Sequence, residues 1–213
     1  MVIKHTSFKH GWYYHYRVHN IKTAKLTNGY DTLRRYLYQM FEACPNDYFE
    51  NGPRGSALKF KIPVDIKELS GHEVNLLTKY GLEVNSERYS NNHSKVQMFM
   101  LENDHKTIAI EVPIWLRCSE LNCFKELFKC EDPLTGHIDV LRIEDDGKIW
   151  VWDYKPNAHR EEYAATQTYF YALMLSKRTG IPLENFMCGY FDHNYTYIFK
   201  PEKNIVRGSQ KLF

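Results

Sequence analysis

Residues Glu144-Asp145-Asp146-Gly147-Lys148-Ile149-Trp150-Val151-Trp152-Asp153-Tyr154-Lys155-Pro156 read EDDGKIWVWDYKP. The stretch opens on acids and a glycine, runs through alternating large apolar residues, and closes on an acid and a lysine two apart. A type I turn followed by a glycine in the left-handed region is a common three-residue hairpin loop. With the loop at Asp145-Asp146-Gly147, Glu144 faces Lys148, Ile143 faces Ile149, Leu141 faces Val151 and Asp139 faces Asp153. Opposed residues of an antiparallel pair share a face, with Cβ atoms about 4.5–5.5 Å apart. Lys155 joins the two acids because strand side chains alternate with period two. A two-residue loop would set Asp139 against Tyr154 instead and undo the juxtaposition.

Opposed carboxylates repel, the more so when half-buried. Either Lys155 and a hard divalent cation such as magnesium or manganese offset them, or Asp153 and Lys155 form an ordinary ion pair at a frayed strand end and Asp139 is solvated. The hairpin alone leaves both open. The next element is an alanine-rich helix expected over residues 161–179, ended by Gly180 and Pro182. On it Gln167 and Tyr171 lie four apart and share a face, with Tyr163 one turn earlier.

Outward from this centre, residues 135–143 and 148–155 form the hairpin, and residues 95–101 and 106–112 are expected to form an earlier pair of strands. Residues 186–191 and 195–199 finish as strands. In the first half, Asp31 is expected to cap a helix through Ala43 with Leu33, Leu37, Met40 and Phe41 as its stripe. Ser70-Gly71-His72-Glu73 reads as a capping box and Gly81 as a helix stop, with Val74, Leu76, Leu77 and Tyr80 buried between them. Residues 54–62 fit a short helix or an extended segment equally, and residues 87–94 read as a surface linker. The order of elements predicts an α/β fold, a mixed central sheet flanked by helices, with a helical and basic N-terminal elaboration. We expect one domain, residues 1–94 being the elaboration and residues 95–213 the core.

The chain has 213 residues, 43% of them hydrophobic, enough for a sizeable core, and a net charge of +2 that neither demands nor forbids a nucleic-acid partner. No apolar run has membrane-spanning length, and the opening MVIKHTSFKHGWYYHYRVH lacks the apolar stretch of an export signal, so a cytoplasmic protein is expected. Five cysteines with no paired CxxC spacing argue for free thiols over a zinc site at Cys118, Cys123 and Cys130.

Gly136-His137-Ile138-Asp139, then Asp153-Tyr154-Lys155, then Gln167-Thr168-Tyr169-Phe170-Tyr171 resembles the RecB-type branch of the PD-(D/E)xK nucleases, with its ordered motifs GxxD, (D/E)xK and QxxxY. That branch includes CRISPR-associated exonucleases and small nucleases of archaeal viruses, and the likeness spans about residues 107–199. It implies a restriction-endonuclease-like core and a deoxyribonuclease dependent on Mg2+ or Mn2+. Asp139 and Asp153 would bind the metal with the Tyr154 carbonyl, Lys155 would orient or activate water, and Gln167 and Tyr171 would line the site. Glu111 resembles the acid often found on the preceding strand; a solvated edge residue is the other reading. Lys59 stands where such nucleases carry a helical histidine, and a lysine there can hold phosphate but not metal; His72 and His93 are outside candidates for that ligand. The cysteine positions do not match the branch's iron–sulfur pattern, so no iron–sulfur cluster is expected.

For the substrate, Arg34, Arg35 and Tyr163 are candidate contacts. Trp12, Tyr14 and Tyr16 either stack on unpaired bases or form an apolar strand face. Single-stranded DNA, or DNA with single-stranded ends, is the expected partner, and exonuclease action the expected activity. A structure-specific, junction-resolving endonuclease and a catalytically inactive nucleic-acid-binding module are the alternatives.

Overall fold

The structure, a computed structural model, describes residues 1–203 of the chain. Its centre is the anticipated hairpin. Strand β5 (Leu134–Ile143) pairs with β6 (Ile149–Tyr154) antiparallel, with Ile143 opposite Ile149 and Leu141 opposite Val151. The Gly147 N–H donates to the Glu144 carbonyl at 2.9 Å, Lys148 N–H caps on Asp146 at 3.0 Å, and Gly147 takes φ +75°. The three-residue loop therefore sets the register, as its glycine requires.

Six further strands complete one sheet: β1 (Ile3–His10), β2 (Trp12–His19), β3 (Lys67–Ser70), β4 (Thr107–Leu116), β7 (Phe186–Phe191) and β8 (Tyr195–Phe199), in the order β1-β2-β4-β5-β6-β7-β8-β3. Among the described strands, β6 and β7 are the one parallel pair, so their crossover needs a helix, supplied by α6 (Ala164–Thr179). Gly180 ends α6 at φ +71°. Helix α1 (Asn20–Leu26) follows β2, and α2 (Asp31–Ala43) buries Leu33, Tyr36, Leu37 and Met40 in the same cluster as Tyr169, Phe170 and Leu175 of α6. Helices α3 (Glu73–Val84) and α4 (Asn92–Asn103) pack on each other and bring Val74, Val96, Met100 and Leu101 against Ile110, Val140 and Trp152 on the other face. A short α5 (Phe124–Phe128) completes the helices. None of the described helices is long and apolar enough to cross a membrane.

The α3–α4 layer is pinned by a buried charge network. Arg142, fully buried, pairs with Asp104 at 3.0 Å, with Glu144 at 3.3 Å and with Glu73, and Lys106 adds Glu144 at 3.0 Å. A buried guanidinium is tolerable only with such partners.

Several expectations need correction. Residues 95–101 are not a strand but lie within α4. Asn91 caps that helix by accepting from His93 N–H at 2.8 Å, and Val96, Gln97, Met100 and Leu101 are buried at helical, not alternating, spacing. The linker expected over residues 87–94 accordingly ends in the first residues of α4. Gly81 does not stop α3; it is the close-packing point with α4, where an added Cβ would lie 3.0 Å from Phe99 Cβ. His72, not Ser70, caps α3, and Leu76 and Tyr80 are exposed because the helix buries the side that carries Val74, Asn75, Thr78 and Gly81. Asp31 is the first residue of α2 rather than its cap and pairs with Arg34 at 2.6 Å. Helix α6 begins at Ala164, after a 3-10 turn at Ala158–Arg160. Residues 54–62 hold one 3-10 turn, Gly55–Ala57, and no longer helix.

A substitution Gly147→Val should lower stability by about 1–2 kcal/mol, the usual penalty of a side chain in the left-handed region. Urea unfolding followed by tryptophan fluorescence reads it; an unchanged midpoint would mean that the loop does not need its glycine.

Candidate active site

Strand β4 pairs with β5 through Ile110 opposite Val140 and Val112 opposite Ile138, which sets Glu111 beside Asp139. The β5–β6 ladder ends with Val140 opposite Trp152, and Asp139 and Asp153 are the residues just past its end on the two strands. Three carboxylates thus stand abreast on three adjacent strands. Glu111 holds φ +52° in mid-strand, a conformation that side chains rarely adopt. Such strain persists only when the surroundings enforce it, and it gathers at working sites. Strand β2 pairs with β4 only at Arg17–Ile110 and Val18–Ala109. The ladder stops where Glu111 turns, and a cleft of about 350 Å³ opens there. The loss of the ladder also explains how Pro113 fits inside β4, since a proline has no N–H to give.

The cleft is lined by Glu111, Asp139, Asp153, Lys155, Gln167 and Tyr171, so the predicted catalytic side chains converge. Lys155 Nζ lies 2.9 Å from Asp153 Oδ2 and donates to Gln167 Oε1 at 3.0 Å. Gln167 Nε2 donates to Asp153 Oδ1 at 2.9 Å and to the Tyr171 hydroxyl at 3.2 Å. Asp139 Oδ2 accepts from the Tyr154 N–H at 3.0 Å, and His93 Nε2 stands 3.9 Å from the same oxygen. Gln97 Nε2 donates to Glu111 Oε1 at 2.7 Å. The Tyr171 ring fits only because two glycines lack side chains: a Cβ on Gly136 or Gly55 would lie 2.3 or 2.4 Å from its Cε1. The GxxD glycine and the QxxxY tyrosine are therefore one packing unit.

Burial, and then the neighbouring acids Asp139 and Asp153, push Glu111 up to about 8. Burial, and then Asp153, push Asp139 up to about 6, against the pull of His93 and Lys155. Burial pulls the Lys155 ammonium down, but Asp153 and Asp139 outweigh it and hold it above the ordinary lysine range. Glu111 Oε2 is buried without a hydrogen bond, and Asp153 Oδ2 has the Lys155 ammonium beside it. Three crowded carboxylates, with Glu111 and Asp139 raised and one hard oxygen of Glu111 unbonded, are what a divalent cation satisfies, so the donor set fits Mg2+ or Mn2+. Among the described residues, no three His, Cys, Asp or Glu side chains already close on one point; Gln97, the Tyr154 N–H and Lys155 each hold one acid to the wall.

Other predicted residues lie elsewhere. The Tyr154 ring is buried in the opposite cluster, its centroid 5.0 Å from that of His93. Lys59 and Arg35 are exposed, Tyr163 is half-buried at the start of α6, and Arg34 is paired with Asp31; none of the four lines the cleft. Of the two outside candidates, His93 reaches the cleft and His72 does not. Trp12, Tyr14 and Tyr16 do lie on a strand, but they divide: Tyr16 is buried while Trp12 is 79% exposed beside the cleft. Sequence reasoning passed over Arg17, Arg54, Ser56, Gln97 and His137. Gln97 was hidden by the mistaken strand, although Asn91 as a cap was there to be read; nothing local marks Arg54 as a cleft residue. The five cysteines are free and none lines the cleft.

A family model described as the PD-(D/E)XK nuclease superfamily matches residues 15–204. The match reaches well beyond the three motifs, to include most of β2 and both helices α3 and α4. No curated protein and no solved structure matches the chain.

Two outcomes are expected. In metal-free protein Glu111 and Asp139 keep protons that the unfolded chain has released, so stability falls as pH rises from about 4 toward about 8. Melting curves should therefore show Mn2+ stabilising little at pH 5.5 and increasingly up to pH 8.5, and Asp139→Asn should stabilise the metal-free protein at pH 8 by roughly 1–3 kcal/mol; a metal effect independent of pH would contradict the crowded acids. Separately, Gly136→Ala should destabilise by about 1–3 kcal/mol through overpacking on Tyr171, and Gly136→Ala combined with Tyr171→Ala should recover part of that loss.

Proposed function

The chain belongs to the PD-(D/E)XK nuclease superfamily, metal-dependent enzymes that hydrolyse DNA phosphodiesters, and from that premise we propose a single-strand-preferring exodeoxyribonuclease using Mg2+ or Mn2+. The observation that carries the proposal is the row Glu111, Asp139 and Asp153 with Lys155 bonded into it, all facing one cleft. Asp139 and Asp153 would hold the metal with the Tyr154 carbonyl, and Glu111 and His93 complete the donors in reach. When bound, the ion polarises a phosphoryl oxygen and lowers the pKa of a bound water.

The protein's own part follows from its contacts. Lys155 keeps its proton, so it acts as a fixed ammonium beside the oxygens on which negative charge develops, rather than as a base. Gln167 holds that ammonium and Asp153 at once, so it sets their separation. Tyr171, wedged between two glycines, holds Gln167 in turn. Residues 1–94 would supply most of the grip on DNA, and residues 95–213 most of the cutting groups, with His93 joining the latter. Lys59, Arg34, Arg35 and Tyr163 would contact DNA outside the cleft. Preference for ends and for single strands is supported by the GxxD, (D/E)xK and QxxxY order and by the aromatic residues on β2. We propose a cytoplasmic location for this activity.

Asp153→Ala and Lys155→Ala should each abolish Mn2+-dependent cleavage while circular dichroism stays unchanged, and Gln167→Ala should reduce the rate less severely. Digestion of linear against circular single strands tests the exonuclease reading. Trimming of linear strands alone supports it, internal cuts in the circle favour an endonuclease, and binding without cleavage would falsify enzymatic function.

A further inference from the structure

We propose that Trp12 and Tyr13, on the two sides of the β1–β2 hairpin tip, offer stacking faces for unpaired bases of a DNA strand whose backbone lies in the cleft. The inference rests on the nuclease reading above and names the residues that select its substrate. Trp12 is 79% exposed and Tyr13 69%, against 54% for Tyr80 on α3. Both line the cleft together with Arg17, Arg54 and Lys155. An indole and a phenol are left in water at little benefit to the fold, and both have the flat faces on which bases stack.

The tip is braced from beneath. The hairpin turns on Gly11, at φ +80°. The Arg54 guanidinium donates to the His10 carbonyl and, at 3.3 Å, to the Phe49 carbonyl. His10 stacks on Phe49 with centroids 3.8 Å apart and hydrogen-bonds His137 at 3.0 Å and Asn46 at 2.9 Å. Tyr14 stacks on His137 at 3.7 Å, and strand alternation sets Trp12 on the same side of the hairpin as Tyr14. The row of rings thus runs from the sheet out to the tip. A platform held in place before binding loses little freedom when a base lands on it.

Charge alone does not hold the strand. The cleft sets Arg17, Arg54 and Lys155 against Glu111, Asp139 and Asp153. Phosphates therefore gain little net attraction from the protein's own groups. Stacking is indifferent to sequence and adds roughly tenfold in affinity per base. In a duplex the base faces are already covered by each other, so only unpaired bases can use the tip.

The test uses the full chain with Ca2+ in place of the catalytic ion and measures anisotropy of a labelled oligothymidylate and of an equally long strand of abasic sites. Wild type should bind oligothymidylate at least about tenfold tighter than the abasic strand. Trp12→Ala with Tyr13→Ala should erase that difference, and Trp12 fluorescence in wild type should be quenched by oligothymidylate but not by the abasic strand. Equal binding of both strands by wild type, or a variant weakened equally toward both, overturns the platform. So does a wild-type dimer that the double variant converts to monomer, since the tip would then be a protein contact. Mn2+-dependent cleavage of the same oligothymidylate, lost in Asp153→Ala, reports the nuclease reading separately: cleavage without stacking sinks only the platform, and stacking without cleavage sinks only the enzyme.

Discussion

Three carboxylates on neighbouring strands are the constraint around which the molecule is arranged. Glu111, Asp139 and Asp153 would not be placed abreast by packing preference, because burial and mutual repulsion both oppose their charge. The fold meets this in two ways. It gives each acid one donor: Gln97 for Glu111, the Tyr154 N–H for Asp139, and Gln167 for Asp153. It also leaves one oxygen of Glu111 unused and all three acids facing an open cleft. A structural role alone explains the first but not the second.

The same cluster organises what surrounds it. The left-handed turn at Glu111 coincides with the end of the β2–β4 ladder, and the gap so made is the cleft. On one side α6 brings Gln167 and Tyr171, admitted by Gly136 and Gly55. From the other layer α4 brings His93 and Gln97. The N-terminal hairpin is not a separate appendage, because β2 joins the sheet and Tyr14 stacks on His137 two residues from Asp139. Membership of the PD-(D/E)XK nucleases, matched from residue 15 onward, agrees with a core that begins inside this hairpin.

Lys155 has a defined place in the cleft. Its ammonium sits between two acids and an amide oxygen, and each contact favours the charged form. A group held so is a donor and a source of positive field.

How far the sequence reached depends on the range of the forces involved. The β5–β6 hairpin, its register and the pairing of Asp139 with Asp153 were legible because a three-residue loop ending in glycine allows one register. The helix carrying Gln167 and Tyr171 and the last two strands were legible too, from local period and from Gly180. Residues 95–101 were misread because Val, Met and Phe suit either element, and only packing on α3 and β4 decided for a helix. With that error Gln97 was missed as a neighbour of the acids. What tertiary structure alone decided is the third acid and the walls. Glu111 joins the row through a ladder between strands far apart in sequence, and Arg54, His137 and the hairpin tip arrive by contacts that no local pattern encodes. Turn chemistry acts over a few residues and can be read in order; a cleft is made where distant segments fail to pair.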